Sequence, residues 1–504
     1  MMHPNPDMVR HPQIRQTPRQ SATLGCLVRH VLAKTLAACV ILACLTGPTP
    51  AYAQPDTSSM RILDFPAFMD LVRAYHPVAR QANLVVDRAR AEMVAARAGF
   101  DPLFYMGGDR KTFDGKFYYD HFSTELRIPT WFGIEIATGL EDNLGDFLNP
   151  EYTSGRSSYL GVSVPLARNL LMDKRRAVLQ QARIFREQSK AERTLILNDL
   201  LFDAGARYWE WVRGYMVYSV LSDAVAVNEQ RLVFVKLAAR QGERPSIDTT
   251  EALAQLQSFQ LARNEAWLYF RKAGLELSND LWRADASPYY LPANVRPDTV
   301  WMAREMRNKP LPVLEELLAT ASSAHPKLQT FDFKLQALEI ERRLKFQELL
   351  PYVNLKYNAL NRGFNVFDGA SAAFYRNNNK FGIDIGVPLR LSQGRGNYAA
   401  AKIKITDTDL QRAQTRLAIE NKVRYHFNEL AILQGQSVTA EDNLQNYIRL
   451  LRGEETRFRA GESSLFMVNT RENTVLQSRQ KLIDVLTKWK VSELALQWAA
   501  GQMR

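Results

Sequence analysis

The chain has 504 residues, 46% hydrophobic and 23% charged, with a formal net charge of +12 and three cysteines, Cys26, Cys39 and Cys44. Beyond residue 44 this excludes a disulfide framework, a thiolate zinc site and a cysteine nucleophile. No block of five like charges occurs, so the positive balance marks a solvated surface and no nucleic-acid partner.

Residues 1–53 have the form of an export signal. Arg29 and Lys34 give a basic n-region, residues 35–47 an apolar run too short to span a bilayer, and Ala51-Tyr52-Ala53 a small-x-small cleavage site. Leu36-Ala37-Ala38-Cys39 is an alternative lipoprotein box, but Lys34 interrupts the apolar run before it, and cleavage after Ala53 is preferred. Removing the segment takes away Arg10, Arg15, Arg19, Arg29, Lys34 and Asp7, which leaves +8 on 451 residues and no cysteine. After Ala53 there is no run of 18 apolar residues, so no transmembrane helix is expected. An exported chain of this kind is periplasmic, secreted, or an outer-membrane barrel.

A helix is expected over residues 64–99, with Asp64 as N-cap and Pro66 in its opening turn. From Pro102 to Pro165 the pattern alternates with period 2. Phe122, Thr124, Leu126 and Ile128 share one face, and a second strand is expected over residues 132–140 after a turn at Pro129-Thr130. Asp114-Gly115 is a hairpin signal, and a last strand is expected over residues 157–164. Residues 167–240 contain no proline and predict a helix on the order of 100 Å long. A shorter helix over 249–282 follows, then residues 284–312, with five prolines, read as a linker.

The same order returns in the second half. A helix is expected over 313–349, strands over 353–360 and 381–387, a proline-free helix over 391–460 and a final helix over 468–501. His76-Pro77 precedes Pro102 as His325-Pro326 precedes Pro351, by 25 residues each time. Val-Pro-Leu recurs at Val164-Pro165-Leu166 and Val387-Pro388-Leu389, and Gly-Glu at Gly242-Glu243 and Gly461-Glu462. Landmarks repeating in order mark a helix–strands–helix unit used twice, over residues 54–283 and 313–504. The strand region of the first unit (102–165) is 26 residues longer than that of the second (351–388), enough for one extra hairpin and a total of four to six strands. Alternating segments of about ten residues, rich in Tyr, Phe and Trp, fit a transmembrane barrel, with Tyr118, Tyr119, Trp131, Phe374 and Tyr375 suited to interfacial girdles. They fit a soluble β-domain with one wet face equally well. The long helices, which need coiled-coil-like packing, favour the barrel.

Chemical motifs are weak. Gly394-Arg395-Gly396 matches part of a dinucleotide fingerprint, but no βαβ unit surrounds it and no acid stands where a ribose would be held, so it reads as a flexible start to a helix. The histidines outside the signal, His76, His121, His325 and His426, form no ligand spacing, and the His-Pro pairs read as helix boundaries. The Gly-Glu sites read as helix C-caps within helical hairpins.

This order resembles the TolC-type outer-membrane efflux duct family over nearly all of the chain beyond the signal. The resemblance rests on Pro102 and Pro351 at helix-to-strand junctions and on Pro165-Leu166 and Pro388-Leu389 at the return. It rests also on Gly461-Glu462-Ser463-Ser464-Leu465-Phe466 at a helical turn, which Gly242 to Asp248 matches more loosely. It implies a homotrimer of tandem-duplicated protomers, with long coiled-coil-like helices pooled into an α-barrel continuous with a transmembrane β-barrel; the family's usual count is four strands per protomer, and the four to six read here, with the extra hairpin, depart from it. It implies a passive conduit with no cofactor, whose partners are outer-membrane lipid, a periplasmic adaptor and an inner-membrane pump. The implied adaptor-docking tip is Gly242, Glu243, Gly461, Glu462 and Ser463, and the implied pore constriction is Asp248 and Phe458. Phe458, Ser463 and Met467 replace the Tyr, Arg and Asp with which the best-known member closes its tip, so that hydrogen-bonded lock is not expected. A periplasmic coiled-coil adaptor is the alternative, and it would need a lipoyl-like β-domain between two helices. An exported enzyme would need a catalytic constellation, which the sequence does not supply.

Overall fold

The computed structural model describes residues 61–292, 294–299, 310–365 and 378–503. The signal segment, Phe374 and Tyr375 lie outside them. In chain order the elements are β1 (Arg61–Leu63), α1 (Phe65–Tyr75), α2 (Pro77–Arg97), β2 (Leu103–Phe113), β3 (Lys116–Pro129), β4 (Glu135–Leu144), β5 (Gly155–Pro165), α3 (Lys174–Arg240) and α4 (Ile247–Ser278). There follow β6 (Val295–Pro297), α5 (Leu314–Ala324), α6 (Pro326–Gln347), β7 (Tyr352–Arg362), β8 (Asn379–Gly386), α7 (Ser392–Arg459) and α8 (Leu465–Ala499).

Two expected helices are each split in two. Residues 64–99 form α1 and α2, and residues 313–349 form α5 and α6, because His-Pro breaks the chain at both places. The proline ring disfavours helical backbone in the residue before it. His76 accordingly sits at φ −61°, ψ 134° and His325 at φ −63°, ψ 125°. Each imidazole then caps the helix that its proline starts: His76 Nδ1 accepts from Val78 N–H, and His325 Nδ1 from Lys327 N–H, both at 3.1 Å. Asp64 is the N-cap expected for α1, accepting from Ala67 N–H at 3.0 Å. The strand expected over 132–140 begins only at Glu135, because residues 130–134 make the turn, closed by Thr130 N–H donating to Ile134 C=O at 2.9 Å.

α3 and α7 run 67 and 68 residues, each about 100 Å at 1.5 Å per residue. They serve two rows of four helices. On the sheet side the neighbours run α2–α3–α6–α7, and on the far side α4–α3–α8–α7. The main core lies where these rows meet. There Phe68, Tyr208, Trp209, Trp211, Leu277, Val423 and Trp489 are fully buried, with α1 and α5 packed over them. The proline-rich stretch also takes part in structure, since β6 pairs in parallel with β1, Arg61 opposite Val295. A second cluster, Val225, Leu232, Val235, Leu256, Phe259, Phe458, Leu465 and Val468, closes the far end of the helices.

The main sheet has six antiparallel strands in the order β2-β3-β4-β5-β7-β8. Four come from the first half of the chain and two from the second, so the length difference between the strand regions is one added hairpin. At the first hairpin Asp114 and Gly115 both have positive φ, 51° and 70°, as a two-residue primed turn requires.

Candidate functional site: sheet faces, junctions and helical tip

Register fixes which side chains share a face of the sheet, because residues opposite each other point the same way. One face carries Phe104 and Met106 of β2, Phe122, Leu126 and Ile128 of β3, and Ile136 and Leu140 of β4. It continues with Leu160 and Val162 of β5, Leu355 and Tyr357 of β7, and Phe381, Ile383 and Ile385 of β8. Many of these are open to solvent in a single copy, Phe104 and Met106 at 65% and Ile385 also at 65%. The other face is polar and internally paired. Arg127 meets Glu125 at 2.6 Å, Tyr159 Oη donates to Glu125 Oε2 at 2.8 Å, and Lys356 meets Asp384 at 2.9 Å. Asn354 Nδ2 donates to Ser163 Oγ at 3.0 Å. At the sheet end away from the helices, the ring of Tyr152 stacks on His121 at 4.3 Å and Asn143 Nδ2 donates to Thr153 C=O at 2.9 Å. The β4–β5 connection therefore folds over the polar face.

The four junction prolines stand at the helix side of this sheet. Pro165 ends β5 opposite Asn354, and Pro351 immediately precedes β7. The two are tied by Leu166 N–H donating to Val353 C=O at 2.8 Å and Arg168 N–H to Pro351 C=O at 3.0 Å. Pro102 and Pro388 flank β2 and β8, the two edge strands, where an unpaired residue costs no ladder bond. Apolar side chains gather at this level in the open: Trp131 at 75%, Leu171 at 78% and Leu389 at 99%. Gly394, in the first turn of α7, is not a flexible start. It is buried, and a Cβ there would stand 3.0 Å from the Glu348 carbonyl, while Asn397 Nδ2 donates to Glu348 Oε2 at 2.6 Å. The glycine lets α7 press against the end of α6.

At the far end of the helices both Gly-Glu turns are Schellman caps. Gly242 and Gly461 have φ of 78° and 79°. Glu243 N–H donates to Ala238 C=O at 3.0 Å and Glu462 N–H to Arg457 C=O at 2.9 Å, the long reverse bond of that motif. Glu243 and Glu462 are exposed, whereas Ser463 turns inward and its hydroxyl donates to the buried Glu454. Asp248 and Phe458 are brought together by a residue the sequence did not single out. Arg244 lies 3.6 Å above the Phe458 ring centroid, donates to the Phe458 carbonyl at 2.6 Å, and stands 3.8 Å from Asp248. It ties the α3–α4 turn to the end of α7. The signal was present as an Arg/Asp pair spaced i,i+4, but its partner lies 214 positions away. Deeper in, Arg231 of α3 pairs with Glu472 of α8, which also accepts from Asn228 at 3.1 Å.

Among the described residues, no group of three or more His, Cys, Asp and Glu is placed to hold a metal, and no helix is long and apolar enough to cross a membrane. The model of the outer membrane efflux protein family matches residues 317–502. No curated protein matches by sequence. The fold is that of solved outer-membrane channels. The Campylobacter jejuni CmeC channel superposes with a TM-score of 0.60 at 14% identity, over 87% of this chain and 85% of that one. Vibrio cholerae VceC gives 0.59 at 14% over 86% and 95%, and the open state of the Neisseria gonorrhoeae MtrE channel 0.61 at 14% over 87% and 89%. Residues 317–502 are thus similar to the outer membrane efflux protein family, and the solved channels share the fold through both halves of the chain.

Proposed function

We infer that the protein is a passive conduit in the outer membrane of a Gram-negative bacterium, a TolC-like channel of a tripartite efflux system. The carrying observation is a sheet with one apolar and one polar face, set on helices of about 100 Å. Six strands are too few to enclose a pore, and β2 and β8 are unpaired edges, so closure needs further copies.

Three copies of a tandem-duplicated protomer, joined side by side, would make the barrel of strands and the barrel of helices. The helical rows support this. Their ends, α4 and α7, carry apolar side chains at heptad spacing: Ile247, Leu261, Leu268 and Leu275 on α4, and Ile403, Leu410, Leu417, Tyr425 and Ile432 on α7. All are 58–71% exposed. Helices with such seams are stable when another helix covers them: on the far side α4 of one copy would meet the far part of α7 of the next, and on the sheet side, where Lys404–Glu341 and Arg412–Asp332 set Ile403, Leu410 and Leu417 beside α6, the exposed Leu84 and Val94 of α2 would meet that stripe. The caps at Gly242-Glu243 and Gly461-Glu462, with Ser463 beneath, form the surface on which a periplasmic adaptor would dock, and an inner-membrane pump would supply the energy. Asp248 and Phe458, clamped by Arg244, would stand at the narrowing of the conduit. The duct itself would perform no chemistry.

Fractionation with detergent extraction tests this reading. The protein is expected in the outer membrane as a trimer, and deletion of its gene is expected to change a susceptibility or secretion profile. A monomer in the soluble periplasmic fraction would overturn the reading.

A further inference from the structure

Four strands per copy is the number that the family resemblance implies, and the main sheet has six among the described residues. We propose that all six strands, the added hairpin included, stand in the lipid, so that the trimer closes an eighteen-stranded barrel in which β2 of one copy pairs with β8 of the next. The proposal rests on the outer-membrane conduit reading above.

The lipid-side pattern is the same on every strand. Reading away from the helices, β2 presents Phe104, Met106 and Gly108 and then Arg110; β3 presents Ile128, Leu126, Thr124 and Phe122 and then Asp120. β4 presents Ile136, Thr138 and Leu140 and then Asp142; β5 presents Val164, Val162 and Leu160 and then Ser158 and Arg156. β7 presents Val353, Leu355, Tyr357 and Ala359 and then Asn361; β8 presents Ile385, Ile383 and Phe381 and then Asn379. Three or four positions, apolar apart from Gly108, Thr124 and Thr138, are followed by polar ones on all six. At about 3.4 Å per residue and a tilt near 40°, seven to eight residues span roughly 20 Å along the membrane normal, close to the apolar band of an outer-membrane barrel. A hairpin standing in water would have no reason to carry Phe104, Met106 and Phe122 on one face, at 65%, 65% and 42% exposure, in register with the band of its neighbours.

The edges agree. β2 leaves the helices and β8 returns to them, so when copies meet side by side the two run antiparallel and the up-and-down order continues through the joint. An even number of strands per copy is needed for that, and the added hairpin preserves it. The same side-by-side joint brings the α4 end of one helical row to the α7 end of the next. With strands about 4.8 Å apart and tilted near 40°, eighteen strands give a barrel roughly 36 Å across its backbone, half as wide again as twelve. The polar faces of all six strands would line it, with the charges Arg127–Glu125 and Lys356–Asp384 already paired within each copy.

Site-directed spin labelling of the full-length trimer in liposomes tests this, since no cysteine occurs after Cys44. Labels at Met106→Cys on β2, Leu126→Cys on β3 and Leu140→Cys on β4 cover either hairpin that could be the added one, Leu160→Cys and Ile383→Cys report the remaining strands, and Ser123→Cys the polar face. The expected result is that the five apolar-face positions are reached by oxygen and shielded from a water-soluble nickel chelate, while Ser123→Cys is reached by the chelate. If the hairpin labels are open to the chelate while Leu160→Cys and Ile383→Cys are shielded, the eighteen-stranded wall is wrong and the conduit reading stands. If all positions are open to the chelate, both fall. Should Met106→Cys fail to assemble, Leu126→Cys reads the same face of the hairpin.

Discussion

At the scale of single residues, the repeated His-Pro shows how one side chain does two jobs. The proline starts a helix, and the histidine before it must then supply an acceptor to the helix it caps. Only an unprotonated Nδ1 can accept, and burial favours that form. His325 is pushed down to about 4, chiefly by burial, with Lys422 and Lys327 adding to the effect and Asp199 opposing it. His76 is lowered for the same reason despite Asp280 nearby, whose own carboxyl is raised by burial even as Arg207 donates to it at 2.5 Å. A folded-state value below the unfolded one means that the unfolded chain binds more protons between the two. The stability from a neutral His325 is therefore complete above about pH 6.5 and is lost, by roughly 3 kcal/mol, as pH falls toward 4. Thermal unfolding of His325→Asn, which keeps a capping acceptor without the titration, is expected to show a flatter pH profile over that window than the parent. A profile as steep as the parent's would refute the assignment. The sequence made the boundary legible because proline acts locally, but one helix was read across each break where the fold has two. The imidazole cap was not legible, because Nδ1 is an acceptor only in the buried, neutral state that the fold creates.

At the scale of elements, the lengths of α3 and α7 were legible from the absence of proline, and the strands from their alternation. What the sequence could not show is which helical faces are left open, since that depends on which helices lie side by side. The rows α2–α3–α6–α7 and α4–α3–α8–α7 decide it. They cover the inner faces of α4 and α7 and leave the heptad stripes of Leu261, Leu268 and Leu275 and of Ile403, Leu410 and Leu417 in the open. Each such side chain is worth about 1.5–3 kcal/mol when buried, so three copies with three covered seams gain far more than the marginal stability of one. Leu268→Glu and Leu410→Glu place a charge in the seam without touching the core of a single copy. Light scattering in detergent is expected to show the trimer giving way to monomers, with helical circular dichroism kept. A stable trimer in both variants would mean that the seams face elsewhere. The same logic explains why Gly394 was misread: a glycine near a helix start reads as flexible from sequence, and only the approach of Glu348 shows it to be a packing position.

At the scale of the whole molecule, the proposed conduit would narrow where the helix ends converge, and its transport behaviour would then depend on the tip. Three copies would place three Arg244–Asp248 pairs around one axis, each Arg244 also stacked on Phe458. In this arrangement Asp248 is half-buried beside a guanidinium and cannot act as a free carboxylate. Phe458, Ser463 and Met467 stand where the best-known member carries Tyr, Arg and Asp, and the Arg244 clamp is a contact within one chain in which the α3–α4 turn holds the end of α7. A cation stacked on a ring contributes about 0.5–2 kcal/mol, and a charge-assisted hydrogen bond about 1.5–3 kcal/mol. If the clamp forms only in the closed tip, breaking it raises the population of an open tip by roughly one and a half to three and a half orders of magnitude. Arg244→Ala removes three positive charges from the rim and leaves three carboxylates unpaired, and acidic rings favour cations. In planar bilayers with a salt gradient, the variant is expected to show higher conductance than the parent and a reversal potential moved toward cations. The double change Arg244→Ala with Asp248→Asn should keep the higher conductance and lose the shift. That second variant separates opening from selectivity, because a tip that merely came apart would move both quantities whether or not Asp248 carries a charge. Conductance and reversal potential both unchanged in Arg244→Ala would place the narrowing of the conduit away from this turn.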